Sequence, residues 1–311
     1  MVLVLNLNMA VDKTVYLKRF KRGSIHRYPC ALTMPGGKGV NVARALKTFS
    51  VPAELMGFAG GYLGLWIKKE LIKEGLRAHL IEHNLGESRV CYSIVEQKGI
   101  STDFNEDGPA INYSLSQKFI DAYEKKLSNA DMVSLSGRGV LGLKKGFYAS
   151  LARFAADKKI PFFADLSGEP LIEILNQGVF AAKINNYEFE HSFKMTFSPY
   201  SMKKIFDKNR VKGLEILIVT NRHKPFYCLT KEGFFEVLPP KLKSYVTPVG
   251  AGDSFMAGLI KCVSHKKNIK ETLSFCAAAA ACDCETLGAG IITASGIKKY
   301  LPFVKIKEKK I

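Results

Sequence analysis

The run Thr247-Pro248-Val249-Gly250-Ala251-Gly252-Asp253-Ser254-Phe255-Met256-Ala257-Gly258 carries the clearest chemical signal in the chain. Its small residues let backbone N–H groups approach an anion closely at a helix start, where the helix dipole is positive. Such a turn is a cradle for phosphate. An acid just inside it, Asp253, lies where it can accept a proton from a hydroxyl attacking a phosphoryl group. The plain alternative is an ordinary helix start capped by Asp253. A second glycine turn, Pro35-Gly36-Gly37-Lys38-Gly39, opens onto Val40-Asn41-Val42-Ala43. Its glycines permit close approach of a polyhydroxylated ligand, and Asn41 offers both a donor and an acceptor. Asp12, after the first apolar run, is either a hydroxyl acceptor or the head of an Asx-turn.

Taken together, these motifs resemble those of the PfkB (ribokinase-like) carbohydrate kinases, and the resemblance runs through nearly the whole chain in family order. Gly250-Ala251-Gly252-Asp253 is similar to the family's C-terminal signature. The resemblance implies that Asp253 is the catalytic base and that Gly250, Ala251 and Gly252 form the anion hole. It also implies an α/β fold with a mainly parallel central sheet flanked by helices and a small β lid that often forms a dimer interface. The segment from Pro35 to Ala43 is similar to the glycine motif lining the sugar site, where Gly36, Gly37, Asn41 and Asp12 would face the acceptor.

Gly36-Gly37-Lys38-Gly39-Val40-Asn41-Val42-Ala43-Arg44 and Asp103-Phe104-Asn105-Glu106-Asp107-Gly108-Pro109 resemble the branch acting on sugars that already carry phosphate. Its members include 1-phosphofructokinase, the activity expected first, and as alternatives tagatose-6-phosphate kinase and the minor 6-phosphofructokinase. A phosphosugar needs cationic ligands, and Lys38, Arg89 and Arg27 fall at the branch's substrate-facing positions, Arg27 across a dimer interface. Each of these is also an ordinary solvated surface residue until placed. Lys183-Ile184-Asn185-Asn186-Tyr187-Glu188 resembles the family's Lys-Pro-Asn-x-x-Glu segment. This implies that Lys183, Asn185 and Glu188 serve the ATP phosphates, with Glu188 holding Mg²⁺ through water. Asp165 closes the preceding strand, with a structural role equally open.

Four positions depart from the family pattern. Met9 and Ile184 stand where relatives have proline. Ser136-Gly137-Arg138-Gly139 replaces Ser-Gly-Ser-Leu, so Arg138 either adds a phosphate-binding cation or obstructs the usual sugar. Thr220-Asn221-Arg222-His223-Lys224-Pro225-Phe226 lacks both glycines of the nucleotide loop, leaving Thr220 and the Arg222 and Lys224 side chains to meet the nucleotide.

The elements that must position these groups follow a β-then-α rhythm. Residues 2–7 read as a strand, 40–46 as a helix, 54–57 as a strand, and 63–74 as a helix ended by Gly75. Residues 89–96 alternate as a half-exposed strand, with a second at 101–104 before a turn at Asp107-Gly108-Pro109. Ser114-Leu115-Ser116-Gln117 has capping-box spacing and introduces a helix to Lys126. Short apolar runs at 132–135, 162–164, 179–184 and 216–219 alternate with helical stretches, the pattern of a wrapped parallel sheet. The expectation is one domain over 1–311 with a lid from 11–34 and 87–108.

Composition sets the outer bounds. The 311 residues are 47% hydrophobic and 24% charged, the fractions of an ordinary globular protein rather than of a disordered chain. A net charge of +18, from 46 Lys and Arg against 28 Asp and Glu, favours anionic partners without choosing among them. No aromatic-studded basic motif points to nucleic acid, and runs such as 18–22 and 305–310 read as solvated faces. Seven cysteines, an odd and scattered number, fit a reducing compartment. Cys282-Asp283-Cys284 with Cys276 invites a metal site, but buried structural thiols are the simpler reading. The N-terminus lacks a signal-peptide pattern and no apolar run reaches the ~20 residues of a membrane span, so a cytoplasmic location is expected. Against catalysis stands a non-catalytic phosphosugar sensor, which the departures at Arg138 and 220–226 would suit.

Overall fold

A computed structural model describes residues 1–29, 31–97 and 99–311; Cys30 and Lys98 lie outside the described residues. In chain order the elements are β1 (Val2–Asn8), β2 (Ala10–Leu17), β3 (Ala31–Gly36), α1 (Lys38–Thr48), β4 (Ala53–Gly60), α2 (Gly61–Lys73) and β5 (Arg77–His83). Next come β6 (Arg89–Glu96), β7 (Ser101–Asn105), α3 (Tyr113–Leu127), β8 (Met132–Ser136), α4 (Phe147–Asp157), β9 (Phe162–Asp165) and α5 (Gly168–Leu175). The rest comprises β10 (Ala181–Asn185), α6 (Asn186–Phe193), α7 (Pro199–Arg210), β11 (Ile216–Thr220), β12 (Phe226–Thr230), β13 (Gly233–Leu238), α8 (Ala251–Ser264), α9 (Ile269–Asp283), α10 (Ala294–Tyr300) and β14 (Lys305–Lys309).

The large sheet runs β14-β13-β12-β11-β10-β9-β8-β1-β4-β5 and is parallel from β11 to β5. Every residue of β1 is buried, as an apolar strand covered on both faces must be. One face packs α1, α2, α8 and α9 around Val40, Met256 and Ala278, and the other packs α3 to α7 around Phe119, Leu151 and Phe206. The alanines of α9 let it approach α8 closely: a Cβ on Gly258 would lie 3.3 Å from the Cys276 Cα. The second sheet, β3-β2-β6-β7, stands apart from the first and forms the lid.

The expected α/β plan with a small β lid is therefore present, with three differences. β5 and the antiparallel β12, β13 and β14 were not anticipated. The basic tail is the edge strand β14, whose exposed lysines discourage further pairing. Finally, α3 is capped by Asn112, whose side chain accepts from the Leu115 N–H, rather than by Ser114. Among the described residues no helix is long and apolar enough to cross a membrane.

The order β8-β1-β4 places the switch point of the sheet at β1, where chain connections depart in opposite directions. In such sheets the crevice at the carboxyl ends of the strands beside that point is where ligands bind. β1, β8, β9 and β10 all deliver polar residues there.

Candidate active site

Gly250 caps α8 with φ of 92°, a left-handed conformation that costs glycine nothing. A side chain there has no room, since a Cβ would come within 2.5 Å of Asp283 Oδ2 and 2.6 Å of the Ala289 Cα. Asp253 lies in the first turn of the helix and is 5% exposed. Burial pushes its carboxyl up to about 7, against the opposing pull of Lys38. Asn41 Nδ2, from α1, donates to Asp253 Oδ2 at 2.8 Å. A carboxyl poised near neutrality at a helix N-terminus suits a proton acceptor.

Three charged groups sit beside it. Lys183 Nζ from β10 and Lys38 Nζ from α1 donate to the two oxygens of Asp165, at 2.6 and 3.3 Å. Burial pushes the Asp165 carboxyl up, but Lys183 and Lys38 outweigh it and hold it below the usual carboxylate range. Asp165 in turn holds the Lys38 ammonium above its ordinary value. A Cβ on Gly252 would lie 3.1 Å from Lys183 Nζ, so that ammonium sits against the turn from Gly250 to Gly252. The cluster thus offers positive charge to a transferring phosphoryl group, with Asp165 keeping both lysines in place.

Among the residues expected to face the acceptor, Gly37 N–H donates to Asp12 Oδ2 at 3.3 Å, and a Cβ on Gly36 would overlap that carboxylate. Gly37, at φ of 99°, starts α1 against Asn6. Burial raises the Asp12 carboxyl, while the Gly37 N–H, Arg89 and Arg44 pull the other way. Arg89 Nε donates to the Asn8 carbonyl at 3.2 Å and its Nη1 to the Glu106 carbonyl at 3.3 Å. Arg138 is 74% exposed and pairs with Asp107 across the mouth of the crevice at 2.9 Å. Asn8 Nδ2 donates to the carbonyls of Asp107 (2.9 Å) and Gly139 (3.4 Å), so one side chain holds both partners' segments together. Arg27 is exposed in the segment of the lid that joins β2 to β3.

Among the residues expected to serve the nucleotide, Asn185 and Glu188 form the capping box of α6: Asn185 Oδ1 accepts from the Glu188 N–H, and Glu188 Oε2 accepts from the Asn185 N–H. Thr220 ends β11, with its hydroxyl 3.4 Å from the Ile184 carbonyl. At the position where the family pattern has glycine, Arg222 itself takes the left-handed conformation, φ 51°, and the Lys224 N–H donates to the Asn221 carbonyl at 2.9 Å. The turn therefore closes without glycine. Among the described residues no three His, Cys, Asp or Glu groups gather as a metal cage. Carboxylates offered singly, as Glu188 is, fit a magnesium ion that keeps its water and leans on nucleotide phosphates. Cys276 and Cys282 are buried thiols and Cys284 a partly buried one.

Asp283 went unnoticed in the sequence, where the flanking cysteines drew attention. It is fully buried at the C-terminus of α9, accepting from the N–H groups of Gly290 (3.4 Å) and Ile291 (3.2 Å). Burial, then the Asp253 charge, raises its carboxyl to about 7, and a helix C-terminus is itself unfavourable for an anion. An acid two residues past the alanine run 277–281, on the same apolar helix, was the available signal.

Comparison with known proteins gives this arrangement a family. The pfkB family carbohydrate kinase profile matches residues 5–295. The chain is 29% identical over 309 residues to a 1-phosphofructokinase of Bacillus subtilis, covering 98% of this chain and 99% of that protein. It is 30% identical over 277 residues to a tagatose-6-phosphate kinase of Staphylococcus epidermidis, covering 88% of each. A Thermotoga maritima structure described as a possible 1-phosphofructokinase superposes with a TM-score of 0.90 at 25% identity over 99% of both chains. The fold is accordingly ribokinase-like, and the chain belongs to the pfkB family of carbohydrate kinases, phosphotransferases acting on sugars.

Proposed function

We propose that this chain transfers the γ-phosphoryl group of ATP to the free primary hydroxyl of a ketohexose phosphate, fructose 1-phosphate first and tagatose 6-phosphate second. The observation that carries the reading is the buried Asp253, held by Asn41 at the mouth of a glycine turn with Lys183 beneath it. Asp253 takes the hydroxyl proton as the acceptor oxygen bonds to phosphorus and the bond to the ADP oxygen breaks. The turn from Gly250 to Gly252, with Lys38 and Lys183, offsets the charge that develops. Arg89 and Arg138 supply cations for the acceptor's own phosphate, and the exposed Arg138–Asp107 pair, worth at most about 1 kcal/mol, yields readily to a dianion. When bound, magnesium would be held through Glu188 and would neutralise nucleotide phosphate charge.

Arg27 reaches an acceptor only from a second copy meeting this one through the lid, whose Tyr16, Leu32 and Phe104 are exposed. The relatives named for phosphosugar substrates support the same branch. The deciding experiment is coupled ADP release across fructose 1-phosphate, tagatose 6-phosphate, fructose 6-phosphate, fructose, ribose and nucleosides, with ATP and GTP compared. A ketohexose phosphate with ATP should give the highest kcat/KM. A non-phosphorylated winner would overturn the substrate class, and phosphosugar binding without any turnover would favour the sensor.

A further inference from the structure

We infer that Arg44 is a positioning residue of the transfer reaction, acting on the base Asp253 through the amide of Asn41. The geometry accounts for all five N–H groups of its guanidinium. Nε and Nη2 grip the two oxygens of Glu74, at the end of α2, at 2.7 and 3.1 Å. Nη2 also donates to the Pro35 carbonyl, just before the Gly36-Gly37 turn, at 2.7 Å. Nη1 donates to the Ala289 carbonyl, behind Gly250, at 2.7 Å and to Asn41 Oδ1 at 3.0 Å. One planar cation, 11% exposed, thereby ties together the acceptor-site turn, the strap behind the anion hole and the side chain that holds the base.

The Asn41 contact sets a direction. An amide has an oxygen end and an NH₂ end, and a permanent cation on Oδ1 fixes which is which. The NH₂ end must then face Asp253, where it donates to Oδ2 and leaves Oδ1 to receive the acceptor's proton. Without Arg44 the amide is free to turn its oxygen toward the carboxylate, an arrangement only a protonated Asp253 tolerates. The other charged groups facing Asp253 are Lys38 from α1, Asp165 from β9, Lys183 from β10 and Asp283 from α9, while Arg44 itself also faces Glu74 from α2 and Asp12 from β2.

This rests on Asp253 being the base, and the test separates the two ideas. The probe is the acceptor that the wild type turns over best, with kcat, KM and the acid limb of the kcat–pH profile measured for Arg44→Lys, Asn41→Ala and the double variant. Lysine keeps the charge but cannot fork to these acceptors in one plane. Arg44→Lys should lower kcat on the order of 10- to 100-fold with the acceptor KM little changed. The acid limb should move to higher pH by about one unit, because the lost donor favoured the ionised carboxyl. In the Asn41→Ala background, Arg44→Lys should cost nothing further in kcat. Additive losses, or an acid limb that stays in place while kcat and melting temperature fall together, would overturn the inference. Should Arg44→Lys not fold, Glu74→Gln must still move the limb in the same direction, and an unmoved limb there overturns it equally. Retained turnover in Asp253→Asn would instead remove the base assignment on which the inference stands.

Discussion

Replacing Asp253 with asparagine should make the protein more stable while nearly abolishing its chemistry, and the size of the gain follows from the site. Burial lifts the carboxyl from 3.8 to about 7 even with Lys38 and Lys183 nearby. Between roughly pH 4 and 7 the native state therefore holds a proton that the unfolded chain has released. Native stability falls as pH rises through that window, and the loss is complete above the folded value, at about 4 kcal/mol. Asparagine keeps the shape and accepts the Asn41 donor at its own oxygen, but it has no proton to lose. The variant should match the wild type near pH 4, gain steadily above it, and be more stable by roughly 5–10 °C in Tm at pH 8. Thermal melts of both proteins from pH 4.5 to 8.5, with coupled ADP release at each pH, measure both consequences. Turnover should fall on the order of 10²–10⁴-fold with acceptor binding retained. A stability difference that does not change with pH would show that Asp253 is not a strained, buried carboxyl. Near-normal turnover would show that it is not the base.

Asp165→Asn leaves Lys183 buried against a neutral partner, so urea denaturation should show a loss of about 3–5 kcal/mol, while the double replacement Asp165→Leu with Lys183→Met recovers most of it. Arg138→Ser removes only an exposed pair and should leave urea stability within about 1 kcal/mol. It should raise KM about tenfold or more for a phosphorylated ketohexose and leave a non-phosphorylated acceptor unaffected, as steady-state kinetics will read. Glu188→Gln preserves the capping-box pattern, so Tm should hold while the magnesium concentration for half-maximal rate rises severalfold in a titration.

What could be read from the chain was what is local. Gly250 and Gly37 stand at backbone conformations their neighbours demand, so a glycine turn before a helix was visible without any knowledge of the partners. The lid strand β6 showed its alternation, and β7 was legible as a short run before the Asp107-Gly108-Pro109 turn. The α3 cap was misplaced because two local patterns compete within three residues, and Asn112 wins by reaching the Leu115 N–H. β14 was hidden because a lysine-rich edge strand with one partly buried side chain looks like a solvated tail.

The charge partners were not legible for a different reason: they come from elements far apart in the chain. Asp165 and Lys183 face one another only because β9 and β10 are neighbours in the sheet, with α5 folded between them in sequence. Asp283 meets Gly250 only because α9 packs along α8. Arg44 is the instructive case, since it stands three residues from Asn41 on one helix and the contact between them was within reach of spacing alone. What spacing could not supply was the rest of its ring of acceptors, Pro35, Glu74 and Ala289, which turns a surface arginine into one with no donor to spare. Asn41, expected to offer both its ends to a sugar, is engaged at both by Arg44 and Asp253. In this site the acid proposed as the base was legible from its own turn, whereas the groups that set its proton affinity are legible only from the fold.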